Sequence, residues 1–219
     1  MKIGFIGYGN MAESLASRWV SKHEVFIGGR DAEKAKRLAA KLGQNARSGS
    51  EGDAAGFGEI IVLATTHEAA FDAMVAAGGP AAFAGKVLLD INNPVDVKQG
   101  NFIPKTYDGT SLAEAIAVRA PGARVVKAFN MCQAMVWKMD PPLFDGRKLV
   151  TLYCGDDAEA KRILATLIQD IGCDPLDLGE LKYARLLEPA AAIVIKLLLS
   201  GRDPHTVLNL IQPEVKPIS

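Results

Sequence analysis

The sequence predicts an α/β fold, a doubly wound and mostly parallel sheet with a helical extension toward its C-terminal end. Three observations carry this. Short apolar runs alternate with helical periodicity, the turn Gly7-Tyr8-Gly9 joins the first apolar run to the first helix, and the most apolar stretch, Pro189 to Ser200, lies late. Parallel strands cannot be joined by tight hairpins, so the chain returns through helical crossovers that cover both faces of the sheet. We read residues 1–219 as a single domain, with a core over 1–130 completed by strands and helices over 131–219.

The elements follow in order. Ile3 to Gly7 is the first strand, and the helix after it sets Met11, Ala12, Leu15 and Trp19 on one face. Glu24 to Ile27 is the second strand. Asp31 then caps a helix with Ala35, Leu38, Ala39 and Leu42 facing inward, and Gly43 ends it. A weaker third strand, Asn45 to Arg47, leads to a short segment capped by Ser50 and Asp53. Ile60 to Ala64 is a buried strand, and Thr66 caps the next helix, with Phe71, Met74 and Val75 inward. Val87 to Ile91 is the fifth strand, and residues 92–110, rich in Asn, Pro, Gly and Lys, form an irregular loop. Arg124 to Ala128 and Leu149 to Cys154 are the sixth and seventh strands. Asp156 caps a helix with Ile163, Leu164, Leu167, Ile168 and Ile171 on its apolar face, closed by Gly172. A short strand, Pro175 to Leu178, precedes a final helical region from about Leu181 onward.

Bulk properties narrow the function classes. Residues are 49% apolar and 23% charged with a formal net charge of zero, so no global field draws in nucleic acid or an anionic membrane. Met1-Lys2 runs straight into a strand, which leaves no room for a signal peptide, and Pro189 to Ser200 is shorter than the roughly 20 residues of a bilayer span. Cys132, Cys154 and Cys173 form no C-x-x-C pair, predict no metal site, and suit reduced, packed thiols in a cytoplasmic compartment.

Gly7-Tyr8-Gly9-Asn10-Met11-Ala12 reads G-x-G-x-x-A. The pattern is weak alone, but here it follows the first strand and opens a helix, the context of a Rossmann-type dinucleotide site. Gly7 permits the tight turn, Gly9 removes a side chain that would block the pyrophosphate, and Ala12 lets helix and strand pack closely. The first helical turn then offers N–H donors and partial positive charge to phosphates. A bare strand-to-helix turn is the bland alternative.

The end of the second strand selects the dinucleotide. An NAD enzyme normally places an acid about 20 residues past the glycine turn to bind the ribose hydroxyls. Here the chain reads Gly28-Gly29-Arg30-Asp31. Arg30 can grip a 2′-phosphate bidentately and Lys34 can add a second charge, which predicts NADP(H). The other reading leaves Arg30 and Lys34 solvated and puts Asp31 on the ribose.

Ala64-Thr65-Thr66-His67 and Asn92-Asn93-Pro94 follow the fourth and fifth strands, and so lie at the sheet edge where such folds bind ligands. His67 is a weak candidate for a general acid, because hydride transfer to a flavin-like acceptor can proceed largely by positioning.

Several stretches together resemble the NADP-dependent oxidoreductases that reduce the deazaflavin coenzyme F420, and are similar to the cytosolic reductase domain of six-transmembrane metalloreductases. They are Gly7 to Met11, Gly28-Gly29-Arg30 with Lys34, and Asp90-Ile91-Asn92-Asn93-Pro94. Val125-Val126-Lys127-Ala128-Phe129-Asn130, Cys154-Gly155-Asp156-Asp157 and Leu186-Leu187-Glu188 complete the set. The resemblance implies a homodimer that binds NADPH in an extended crevice, with the deazaflavin or a flavin (FMN or FAD) stacked on the nicotinamide. By position, Tyr8, Gly9, Asn10 and Met11 would hold the pyrophosphate, and Gly29, Arg30 and Lys34 the 2′-phosphate. Thr65, Thr66, Asn93, Pro94, Asn130 and Ala134 would flank the nicotinamide and the acceptor. Thr66-His67 departs from the Pro-Trp pair of the deazaflavin enzymes, and the Val-Lys-Ala-Phe-Asn run is closer to the metalloreductase branch.

Met1 to Ala12 also resembles pyrroline-5-carboxylate reductases, an imine-reductase class, but their Ser-Pro-Gly-Gly-Thr-Thr stretch is absent. A non-catalytic NADP(H)-binding sensor or regulatory protein is the alternative outside enzymes. Arg30→Ala is expected to raise KM for NADPH and narrow the NADPH/NADH preference. An unchanged preference in steady-state kinetics would remove Arg30 from the 2′-phosphate site.

Overall fold

The computed structural model describes residues 1–97, 100 and 102–201. Its first strand, β1 (Lys2–Ile6), is buried along all but one residue, as a strand covered on both faces must be. α1 (Asn10–Trp19) buries Ala12, Leu15, Ala16 and Trp19, with Met11 packed at the margin. β2 (Glu24–Gly28) leads to α2 (Ala32–Leu42), where the Asp31 side chain accepts from Lys34 N and Gly43 ends the helix at φ +97°. After β3 (Ala46–Gly49), Ser50 and Asp53 form a reciprocal capping box on α3 (Glu51–Phe57). β4 (Ile60–Leu63), α4 (Ala70–Ala76) and β5 (Val87–Asp90) follow, then α5 (Leu112–Arg119) and β6 (Arg124–Ala128). A small hairpin of β7 (Leu143–Phe144) and β8 (Arg147–Lys148) precedes β9 (Val150–Gly155), α6 (Ala158–Asp170), β10 (Asp174–Asp177) and α7 (Ala184–Leu199).

Eight strands make one sheet in the order β10-β9-β6-β5-β4-β1-β2-β3. Neighbours are parallel except β6 and β9, which are antiparallel. The chain winds from β1 outward through β2 and β3, then crosses to β4 on the other side of β1. The strand order therefore reverses between β1 and β4, and the crevice outside their carboxyl ends is where open α/β sheets take ligands. Period-two alternation splits the core. Ile3 and Phe5 of β1 join Ile60 and Val62 of β4 in one buried cluster, while Ile6 joins Ile61 and Leu63 in the other.

Trp19 locks α1 to the late half of the chain. It is fully buried, its Nε1–H donates to the Leu167 carbonyl of α6 at 2.9 Å, and its ring meets the edge of Phe129. Phe129, at the end of β6, takes φ +61°, a left-handed conformation that costs about 1–3 kcal/mol for a bulky residue. Its ring is clamped in edge contact between Trp19 and Trp137, which holds the backbone there.

The sequence reading needs several corrections. α5 lies where no helix was expected between the loop of 92–110 and β6, although Ser111 and Glu114 spell its capping box. The β7–β8 hairpin also went unpredicted. Thr66 precedes a single 3-10 turn (His67–Ala69), not α4 directly, and makes no side-chain cap bond. Val75 is 74% exposed, because α4 spans only two turns and turns Ala73 and Met74 inward instead. Asp157, not Asp156, caps α6 by accepting from Ala160 N, while Asp156 accepts from Leu181 N. The final helical region starts where expected: a 3-10 turn (Leu181–Tyr183) leads into α7, which carries Pro189 inside it. The expected helical region beyond residue 201 lies outside the described residues. Among the described residues, no helix is long and apolar enough to cross a membrane.

Trp19→Ala removes one of the two buried tryptophans of the first core cluster together with its hydrogen bond. A loss of about 3–5 kcal/mol in denaturant unfolding is expected, and a loss under 1 kcal/mol would show that α1 and α6 are held by other contacts.

Candidate active site

The glycine turn is shaped by close backbone approach. Gly7 has φ +121°, and a Cβ there would stand 2.2 Å from the Ala64 carbonyl at the end of β4. Its N–H donates to the Gly28 carbonyl at 2.8 Å, so the ends of β1, β2 and β4 are drawn together at this residue. Gly9, the N-cap of α1, makes no side-chain cap bond, and a Cβ added there would meet nothing within 4 Å. The first turn of α1 thus opens on free space. At Gly29 a Cβ would lie 2.3 Å from the Tyr8 ring, so this glycine lets the Tyr8 ring come close to the end of β2.

A cavity of about 400 Å3 runs along this edge, bounded by Gly7 to Met11, Gly29, Arg30, Thr65 and Thr66, with Glu51 and Asp72 as its acids. A second, of about 550 Å3, shares Met11, Ala64, Thr65 and Thr66 with the first and continues past His67, Glu68, Asn92 and Asn93. The two form one crevice across the β1/β4 switch. At their shared wall Thr65 Oγ1 is buried without a hydrogen-bond partner among the described residues.

Arg30 is exposed at the mouth of the first cavity and enters no ion pair among the described residues. Lys34 lies outside both cavities, with its ammonium 3.4 Å from Asp31. Asn130 is buried and reaches the second cavity through Asn93: its Nδ2 donates to Asn93 Oδ1 at 3.0 Å, and Asn93 Nδ2 donates to the Asn130 carbonyl at 2.8 Å. Pro94 and Ala134 line neither cavity. His67 lines the second cavity and is 95% buried by its 5% exposure. Burial lowers its pKa below the ordinary histidine value against the opposing pull of Glu68. Its Nε2 stands 3.5 Å from Glu68 Oε1 without forming a hydrogen bond. The thiols are packed groups: burial pushes Cys132 up to about 11 and Cys154 up to about 12, far from a nucleophilic thiolate.

The feature that sequence reasoning missed lies beneath the second cavity. Lys127 of β6 is fully buried, and its Nζ donates to Asp90 Oδ2 at 2.7 Å, to the Asn92 carbonyl at 2.5 Å and to Glu188 Oε1 at 3.1 Å. Burial works against the ammonium, but Asp90 and Glu188 together outweigh it and hold its pKa above the ordinary lysine value. Glu188 also accepts from Leu112 N and Ala113 N, so α5 turns its positive end onto a carboxylate. Asp90 is the one charge in an apolar strand, and Lys127 is a charge placed inside the apolar run Val125 to Ala128, and that was the available signal.

The family described as NADP oxidoreductase, coenzyme F420-dependent, matches residues 2–94. The F420-dependent NADP reductase of Methanothermobacter thermautotrophicus is 30% identical over 92% of this chain and 91% of its own length. The chain belongs to this family of F420-dependent NADP oxidoreductases. A putative F420-dependent NADP reductase from an Arthrobacter species is 31% identical, with a TM-score of 0.80 over 91% of this chain and 94% of the other. Metalloreductase STEAP3 of Rattus norvegicus is 34% identical over 95% of this chain, which spans only 39% of that protein.

Lys127→Met would leave Asp90 and Glu188 facing each other without the ammonium. A loss of about 3–5 kcal/mol of stability is expected in denaturant unfolding. An unchanged midpoint would show that the contacts of Lys127 with Asp90 and Glu188 contribute nothing to stability.

Proposed function

We propose that the chain binds NADP(H) along the two joined cavities and transfers hydride between its nicotinamide and a flat aromatic acceptor in the second. The acceptor is a deazaflavin such as coenzyme F420, or a flavin such as FMN or FAD. The observation that carries this reading is the continuous crevice across the β1/β4 switch, with a glycine turn at its centre and Arg30, not an acid, at its mouth.

The residues present fit the dinucleotide. The space beside Gly9 and the open first turn of α1 suit a pyrophosphate, which α1 N–H groups and the Tyr8 to Met11 backbone would hold. Gly29 and Arg30 would take the 2′-phosphate, with Lys34 adding charge from the next helical turn. Buried and unpartnered, Thr65 Oγ1 would bond the nicotinamide end, with Thr66, Asn93, Pro94, Asn130 and Ala134 around it. NADPH supplies the hydride when bound. The protein's part is to orient, and to keep water from the transfer by closing the second cavity with Val95 and Val97. His67 is a wall of that cavity, and positioning suffices without it as an acid.

The reading includes a cytoplasmic homodimer acting on a small molecule, with no part for nucleic acid or membrane. Leu186, Ile193 and Leu199 are exposed along α7 and offer an apolar face for the second copy.

The test is NADPH oxidation with F420, FMN, FAD and ferric chelates as acceptors, and NADH in parallel. Rapid, NADPH-specific reduction of a flavin-type acceptor is the expected result. Tight NADPH binding with no turnover on any acceptor would overturn it in favour of a sensor, and turnover of ferric chelates alone would overturn the choice of acceptor.

A further inference from the structure

The second cavity answers to α7 through two neighbouring residues. Glu188 accepts from Lys127 Nζ at 3.1 Å, and the Leu187 carbonyl accepts from Asn130 Nδ2 at 3.0 Å. Each contact is relayed to the cavity wall. Lys127 donates to the Asn92 carbonyl and to Asp90, whose Oδ1 in turn accepts from Asn92 N at 3.0 Å and Asn92 Nδ2 at 2.8 Å. Asn130 passes the second contact to Asn93 Oδ1 at 3.0 Å. Asn92 and Asn93 line the second cavity, and neither lines the first.

A helix far along the chain thereby fixes the strand end on which an acceptor would rest. The first cavity has no such tie. Its walls come from the ends of β1, β2 and β4, the first turn of α1, and α3 and α4. Asn92 keeps one further anchor, from Nδ2 to the Leu63 carbonyl of β4 at 3.0 Å, so loss of the α7 contact would loosen the segment without releasing it.

We propose that Glu188 is a positioning residue: acting through Lys127 and Asp90, it sets the Asn92-Asn93 wall and so the second cavity's affinity for a flat heteroaromatic acceptor, leaving the nucleotide cavity unaffected. The acceptor clause rests on the function proposed above. The positioning clause rests on the hydrogen-bond relay alone. Geometry explains why the effect is selective. Glu188 touches no residue of the glycine turn, whereas a two-step relay links it to Asn92.

Glu188→Gln keeps the shape and an acceptor for the α5 amides, but removes the negative charge facing Lys127. Two readouts separate the two clauses. The first is amide hydrogen exchange at Asn92 and Asn93 compared with Gly7 to Glu13, which requires no acceptor. The second is the Kd of FMN and of F420 on protein loaded with NADP+, set against the Kd of NADPH. Faster exchange at Asn92 and Asn93 alone is expected, with acceptor binding weakened about tenfold and NADPH binding changed by less than about threefold. Unchanged exchange overturns the positioning role, and so does equal loss of both ligands, which a merely loosened fold would give. If the wild type binds neither FMN nor F420, the acceptor clause falls with the proposed function, and the exchange result still decides the relay. Should the single variant fail to fold, Lys127→Met with Glu188→Gln removes the relay at the same net buried charge, and the same two comparisons apply.

Discussion

A lysine ammonium sealed from water holds the carboxyl edge of this sheet together. Removing such a charge from solvent costs several kcal/mol, which only close opposite charge and full hydrogen bonding can offset. Lys127 meets that demand with three acceptors from three places in the chain: Asp90 at the end of β5, the Asn92 carbonyl just beyond it, and Glu188 in α7. Two carboxylates around one ammonium leave a net negative charge, and the Leu112 and Ala113 N–H groups at the start of α5 turn toward it. α5 and α7 thus meet at this charge, while their apolar faces share one buried cluster with Leu88 and Val125.

The other constraint is distance between backbones. At Gly7 no side chain fits against the Ala64 carbonyl, and at Gly28 a Cβ would stand 2.5 Å from the Ser50 carbonyl. Three strand ends consequently converge within hydrogen-bond reach, and the crevice opens just outside them. Strain enters at the sixth strand end, where Phe129 is left-handed and pinned by two tryptophans. The residue after it, Asn130, is held between Asn93 and the Leu187 carbonyl. The strained residue thus stands next to the amide that supports the wall of the second cavity, and strain tends to gather near such sites.

Local signals were legible in the sequence wherever one segment decides its own conformation. The β1 turn, the Asp31 cap, the Ser50–Asp53 box and the alternation of strands and helices could all be read from neighbouring residues. The first cavity was likewise legible, because Gly7 to Met11 and Gly29-Arg30 lie within two turns and line it. Partners far apart in the chain were not legible. Nothing near Lys127 indicates that Glu188 will reach it, and Asp156 and Asp157 are equivalent as caps until Leu181 claims the first. α5 was missed for a different reason: its Ser111–Glu114 box follows a loop rich in Pro and Gly, whose composition masked a short helix. The acids Glu51 and Asp72 in the first cavity depended on how α3 and α4 dock, which no local pattern records.

Direct hydride transfer across the joined cavities is the central claim, and isotope tracing tests it most directly. Turnover with NADPH carrying deuterium at both C4 positions and F420 as acceptor, followed by mass spectrometry of the reduced deazaflavin, reports where the hydrogen goes. Retention of deuterium on the acceptor's ring carbon is the predicted result. Reduced acceptor carrying only solvent hydrogen would contradict it, because the two rings would not then meet face to face in this crevice.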